Sequence, residues 1–174
     1  ECIILADENA DPEKVALDLM IEAEHGPDSA ALLVTNSAEL VEKVVPIVER
    51  QLEKISDKRR DFVTKGFSTY GGAIITESLD ESIAFVNEYA PEHMEVMTEK
   101  PFEVLPKIKN AGEILLGDYT PVTLCNFVLG PNAILPTGQS AKTYSRVSVM
   151  DFLKRSSVGY ESRDGFEKVR NYAY

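Results

Sequence analysis

The sequence predicts an α/β fold, a parallel β-sheet flanked by helices. Three observations point there. Short apolar runs recur along the chain and alternate with segments of helical periodicity. Most of these runs are continuously apolar, as strands covered on both faces are. Turn or cap residues mark nearly every boundary, so the units read as repeated strand–helix pairs with right-handed crossovers.

The elements follow in order. Cys2 to Ala6 is a short apolar run and reads as a buried strand. Asp11-Pro12 reads as a helix cap with proline in the first turn. Val15, Leu19 and Ala23 carry the helical spacing, and Gly26-Pro27 stops it. Ala30 to Thr35 is a second buried strand. Ser37 opens a long amphipathic helix through Leu40, Val41, Val44, Val45 and Val48, and a more polar helix is expected around Asp57 to Lys65. Gly71-Gly72 opens a third strand over Ala73 to Thr76. Ser78 caps a helix with Leu79, Ile83, Val86 and Tyr89 on one face. His93 to Met97 alternates and reads as a fourth strand, Pro101 to Ile108 as a short helix, and Gly112 to Leu116 as a fifth strand. Beyond Gly117 the pattern fades. Thr120 to Leu129 reads as a helix, Gly130-Pro131-Asn132 as a turn, Pro136-Thr137-Gly138 as a loop and Val149 to Arg155 as a helix. Ligands of such a sheet are expected at the carboxyl ends of its strands.

Composition bounds the function. With 174 residues, 44% hydrophobic and 27% charged, the chain suits one globular domain with a proper core. A net charge of −11 argues against a nucleic-acid phosphate surface, and Lys58-Arg59-Arg60 reads as a solvated face. No apolar run approaches the roughly 20 residues of a membrane span, and no signal peptide is visible. The two cysteines, Cys2 and Cys125, lie far apart without CxxC spacing. That suggests a reducing compartment, with a single disulfide left open. The chain opens directly on a strand pattern and ends at Tyr174 within a polar-aromatic helical stretch, so it reads as a piece of a longer protein.

Few residues carry chemistry. No GxGxxG follows a strand, and Gly66 and Gly71-Gly72 read as turns, so no pyrophosphate loop is expected here. Glu92 and His93 stand side by side after Pro91, and the chain has only two histidines. Such a pair can offer one substrate atom two proton acceptors, or it can be a solvated helix-to-strand turn. Glu22 and His25 stand at i, i+3 on the first helix. That spacing shares a face and suits a metal, although a histidine at a helix C-terminus is equally served by the helix dipole. Asn126 and Asn132 can be loop residues capping backbone groups, and Cys125 a small buried apolar side chain.

Taken together, several segments resemble the histidinol dehydrogenase family. They are Ala23-Glu24-His25-Gly26-Pro27-Asp28-Ser29, Tyr89-Ala90-Pro91-Glu92-His93, Asn110-Ala111-Gly112, Leu116-Gly117 and Leu135-Pro136-Thr137-Gly138, in the family's order and rough spacing. The resemblance implies an incomplete Rossmann-like three-layer domain over residues 1–147 and the start of a C-terminal helical tail over 148–174. It implies a cytoplasmic homodimer that uses NAD and one Zn²⁺ per subunit to oxidise L-histidinol to L-histidine in histidine biosynthesis. It puts Glu92 and His93 at the paired proton acceptors. His25 falls at a zinc and substrate ligand, Glu22 where the family has a Gln ligand, and Asn126 where it has an Asp ligand. The implied metal set is therefore Glu22, His25 and Asn126, and the implied substrate contacts are Glu22, His25, His93 and Asn126. The family's last zinc-ligand His and a substrate-binding Glu fall beyond Tyr174, and its NAD contacts fall before Glu1. Cofactor-binding residues are thus expected outside this chain.

Departures from the family pattern are local. The stretch Thr120-Pro121-Val122-Thr123-Leu124-Cys125-Asn126-Phe127 differs from the family's Ser-Pro-Glu-Ser-Ala-Gly-Asp-Tyr, and Ala133 replaces a substrate-contacting His. The exchanges at 22 and 126 conserve ligand charge if both positions coordinate. Two alternatives follow: a divergent relative that oxidises another small amino-alcohol or polyol, or a non-catalytic α/β module.

Overall fold

The computed structural model describes residues 1–173. Five parallel strands form one sheet in the order β3-β2-β1-β4-β5. They are β1 (Cys2–Ala6), β2 (Ala31–Thr35), β3 (Gly72–Ile75), β4 (His93–Met97) and β5 (Glu113–Leu116). The intervening helices are α1 (Pro12–Ala23), α2 (Ala38–Leu52), α3 (Asp57–Thr69), α4 (Leu79–Tyr89) and α5 (Pro101–Val104), the last prolonged by a 3₁₀ turn at Leu105–Lys107. The predicted α/β architecture is present, with helices on both faces.

The caps that the sequence suggested do their work. Asp11 accepts from the Glu13 N–H, Ser37 from Leu40 and Ser78 from Glu81, each satisfying an orphan donor of a first turn. Alternate residues of each strand feed two cores. On one face Ile4, Ala6 and Leu33 pack with Val15 and Leu19 of α1 and with Leu40 of α2. On the other, Ile3, Leu5, Val34 and Met94 pack with Ile83 and Val86 of α4.

Strand β4 was expected to alternate between buried and solvated residues, yet all five of its residues are buried. Its polar positions face α1 rather than water. Glu95 is 1% exposed and Asp18 of α1 is 7% exposed. Glu95 Oε1 accepts from the Val122 N–H at 3.3 Å. Its Oε2 meets no donor, and its neighbour is the Asp18 carboxyl, so the two acids share a proton. Burial, then the Asp18 charge, raises the Glu95 carboxyl to about 9, and burial raises Asp18.

The region after Gly117 departs most from expectation. In place of one helix over 120–129 there is a single turn, α6 (Val122–Leu124), followed by a π turn at Cys125–Leu129 that ends on Gly130 with φ 97°. In place of a helix over 149–155 there is a 3₁₀ turn at Val149–Phe152. Val149, Met150 and Phe152 are exposed and have no core to pack on, and packing of an apolar face is what sustains a short helix. A last helix, α7 (Arg163–Val169), runs into a 3₁₀ turn at Arg170–Ala173, and Tyr174 lies outside the described residues. Among the described residues no helix is long and apolar enough to cross a membrane.

The Asp18–Glu95 pair predicts a pH dependence of stability. Folded, Glu95 holds its proton up to about pH 9; unfolded, it loses it near 4.5. Between these values the folded state binds the extra proton, so this contribution declines as pH rises through the window. Glu95→Gln keeps the shape, accepts from Val122 and donates to Asp18. Its denaturant midpoint, compared with native protein at several pH values from mildly acidic to alkaline, should decline less. An unchanged slope would sink the shared-proton account.

Candidate functional site

The candidate residues gather at the amino ends of the strands, not at the carboxyl ends where sheets of this class usually bind. The reason lies in the strand starts. His93 is the first residue of β4, Glu113 the first of β5 and Cys2 the first of β1, and all three are paired in register. Helix α1 runs back across the sheet and brings Glu22, with His25 just beyond its end, to the same edge.

The entry to β4 is built for close approach. Helix α4 ends on Ala90 in the left-handed region, with φ 56° and ψ 65°, and Pro91 follows. An alanine there costs about 1 kcal/mol or more, so the surroundings must hold it. Gly112 N–H donates to the Pro91 carbonyl and Glu113 N–H to the Glu92 carbonyl, both at 2.9 Å. A Cβ on Gly112 would stand 2.7 Å from the Glu92 carbonyl oxygen, so only glycine lets the two strand entries meet.

That approach sets the geometry around His93. The residue is 7% exposed and Glu113 is 6% exposed. His93 Nδ1 lies 2.9 Å from Glu113 Oε2. On its other side, Nε2 lies 4.0 Å from Glu92 Oε1. The Cys125 thiol donates to Glu113 Oε1 at 2.8 Å. Burial, then the Glu113 carboxylate, pushes that thiol up to about 12, so Cys125 is an inert donor. The buried, apolar reading of Cys125 is thus half right: it is buried, and it also carries a hydrogen bond.

Glu22 and Glu92 converge on one point at this edge: Glu92 Oε2 lies 3.0 Å and Glu22 Oε1 3.4 Å from the Glu1 nitrogen.

His25 is not on the helix with Glu22. Helix α1 ends at Ala23, and Glu24 caps it by donating to Met20 and Glu22. His25 lies one residue beyond, exposed, with Nδ1 2.7 Å from the Ile21 carbonyl. A carbonyl only accepts, so Nδ1 carries the proton and Nε2 is left with its lone pair free. This is the tautomer a metal-binding imidazole needs. Asn126 is exposed in the π turn at Cys125–Leu129. The individual donors therefore fit a zinc ion, but among the described residues no three His, Cys, Asp or Glu side chains converge as a metal cage.

Sequence reasoning missed Glu113, Glu95 and Asp18. The signal was present, since an ionisable side chain inside a covered strand or helix face is rare unless paired. Elsewhere, an apolar cleft of about 240 Å³ lies between α2 and the β3 edge, lined by Leu19, Leu33, Val44, Phe67 and Ala73. Glu49 is the one ionisable residue of its lining. A crevice of about 330 Å³ at the carboxyl ends includes Asn9, Thr98, Glu99 and Asp118. The neighbouring Asp7 has both oxygens engaged, by the Asn9 and Glu99 N–H groups.

The family model described as Histidinol dehydrogenase matches residues 1–174. The histidinol dehydrogenase of Synechocystis sp. is 53% identical over 170 residues, covering 98% of this chain and 39% of that protein. A histidinol dehydrogenase homolog of Colwellia psychrerythraea is 47% identical over 175 residues, covering 100% of this chain and 39% of that protein. The crystal structure of histidinol dehydrogenase from Elizabethkingia anophelis superposes with a TM-score of 0.92 at 31% identity, over 98% of this chain and 39% of that one. The chain thus spans about two fifths of the length of these relatives.

The ligand geometry generates a prediction about metal. The chain by itself should hold Zn²⁺ weakly or not at all, because a stable site wants four ligands, or three and a water. In the full-length protein, Asn126→Asp should tighten zinc by supplying a charged oxygen. Titration with a zinc chelator checks both. Stoichiometric, tightly held zinc in the isolated chain would contradict the first, and no gain in affinity for Asn126→Asp would show that this turn does not face the metal.

Proposed function

The chain belongs to the histidinol dehydrogenase family, and from that premise we propose that it is the proton-handling part of a longer dehydrogenase acting on a small alcohol. The observation that carries this reading is the Glu92–His93–Glu113 arrangement. Two acceptors, Glu92 Oε1 and His93 Nε2, face each other 4.0 Å apart at a sheet edge, and the imidazole is backed by a buried carboxylate.

In this reading a substrate hydroxyl lies between Glu92 and His93 and gives up its proton to them as the carbinol carbon is oxidised. The same pair then activates water for a second oxidation. Their difference in burial separates the two roles. His93 is nearly enclosed, while Glu92 keeps contact with solvent and can pass a proton on. When bound, NAD supplies the hydride acceptor, and Zn²⁺ orients the alcohol and polarises its oxygen. Glu22, the His25 Nε2 and Asn126 are the groups here that would hold the metal, with the remaining ligand and the NAD contacts coming from outside these 174 residues.

The division into 1–147 and 148–174 belongs to the same proposal. Among the described residues none after Cys125 is buried, and Phe127, Ile134, Tyr144, Phe152, Tyr160 and Tyr172 stand exposed. An apolar surface of that extent is what a second subunit covers, which supports the homodimer. A cytoplasmic setting agrees with two reduced, buried cysteines. Ala133 and Asn126 favour a second reading, in which the same chemistry serves an amino-alcohol or polyol other than histidinol.

Full-length protein tests the proposal. His93→Ala and Glu92→Gln should each lower turnover about 10²- to 10⁴-fold, the usual contribution of a positioned base. Folding, followed by circular dichroism, should change little. Unchanged turnover in both variants, where chemistry limits the rate, would sink the assignment. Absence of bound zinc together with no turnover on histidinol or other small alcohols would favour a non-catalytic module. The isolated chain should not reduce NAD with any of these alcohols.

A further inference from the structure

We propose that Glu113 is a positioning residue that fixes His93 in the Nδ1–H tautomer, so that Nε2, the nitrogen facing Glu92, is the one that accepts a proton. The inference rests on the reading of His93 as a proton acceptor and deepens it by giving Glu113, which no sequence motif points to, a defined role.

The donors around Glu113 decide the tautomer. An ionised carboxylate offers only acceptors. Cys125 donates to Oε1 at 2.8 Å, and His93 Nδ1 stands at 2.9 Å from Oε2. The remaining contact of the ring is Glu92, also an acceptor, 4.0 Å from Nε2. A neutral imidazole has one proton, and the nearer, better-formed partner takes it. Nε2 then carries the lone pair, beside Glu92 Oε1. A proton on Nε2 instead would leave Nδ1 and Oε2, two buried acceptors, facing each other across 2.9 Å.

The position is rigid for reasons outside the pair. His93 and Glu113 are register partners on adjacent strands. The Gly112 and Glu113 N–H groups tie the two strand entries together. Water cannot supply a substitute partner easily, because both residues are nearly enclosed. Cys125 prevents Glu113 from turning away, since its thiol holds the second oxygen.

The test uses full-length protein carrying nitrogen-15 histidine. In alkaline buffer the native His93 should show a protonated Nδ1 and a lone pair on Nε2. Glu113→Leu fills similar space but accepts nothing, so Nδ1–H should cease to dominate. In that variant kcat should fall about 10- to 100-fold, as when a carboxylate that orients a functional imidazole is lost, while KM stays within about threefold. Glu113→Gln can still accept from Nδ1 through its amide oxygen. Turnover should follow the tautomer across the three proteins, with Gln retaining activity as far as it retains Nδ1–H. A native His93 protonated at Nε2, or a variant that loses the tautomer and keeps full turnover, overturns the inference. The native spectrum needs no variant and decides the tautomer even if Glu113→Leu does not fold. Turnover of His93→Ala decides the underlying reading separately.

Discussion

The burial of three ionisable side chains on one face of two adjacent strands constrains everything around the site. His93, Glu95 and Glu113 point from β4 and β5 toward α1 and the segment after β5, where water does not reach. Each needs an internal partner, since an unpaired buried charge costs several kcal/mol. The sheet supplies one contact, His93 to Glu113. Helix α1 supplies Asp18 for Glu95. The segment after β5 supplies the rest: the Val122 N–H reaches Glu95 and the Cys125 thiol reaches Glu113. The two acids are therefore also the two points that pin Val122–Cys125 to the sheet, and that segment leads directly to Asn126. Glu113, which sets the imidazole, is thus also one of the two groups that set the candidate ligand loop.

The body of the fold was readable because its signals are local. Asp11-Pro12, Ser37 and Ser78 are caps whose chemistry does not depend on the rest of the chain. Apolar runs such as Ile3-Ile4-Leu5 and Leu32-Leu33-Val34 can only be buried. The reading failed where structure depends on what an element packs against. Val149 to Arg155 has helical composition, yet no core residue lies beneath it, and a single 3₁₀ turn remains. Thr120 to Leu129 is bent into a π turn by tethers from β4 and β5 that no local pattern reveals.

The site was half readable for a related reason. Glu92-His93 is visible as a pair because the two are adjacent in sequence. Glu113 acts on His93 across twenty residues of sequence, a pairing created only by strand register. Once β4 and β5 are recognised as neighbours, the register follows from the Pro91-Glu92 and Gly112-Glu113 entries, and the contact becomes inevitable. His25 shows the opposite error. Spacing placed it on a helix face, but Gly26-Pro27 stops α1 early, and the ring is oriented by a main-chain carbonyl instead.

The amino-edge location has a chemical consequence. At the carboxyl edge of a parallel sheet, helix N-termini converge and favour anions such as phosphates. At the amino edge the helices end, and their carbonyl-rich C-termini favour cations. Helix α1 ends there beside Glu22, and α4 ends there beside Glu92. The edge is acidic in side chains and in backbone dipole, and Glu22 and Glu92 converge there. An edge of this polarity is poorly suited to a pyrophosphate and well suited to a metal ion or an ammonium-bearing alcohol. In a sheet of this class the phosphate-favouring edge is thus the opposite one, where the sequence offers no glycine-rich loop after a strand.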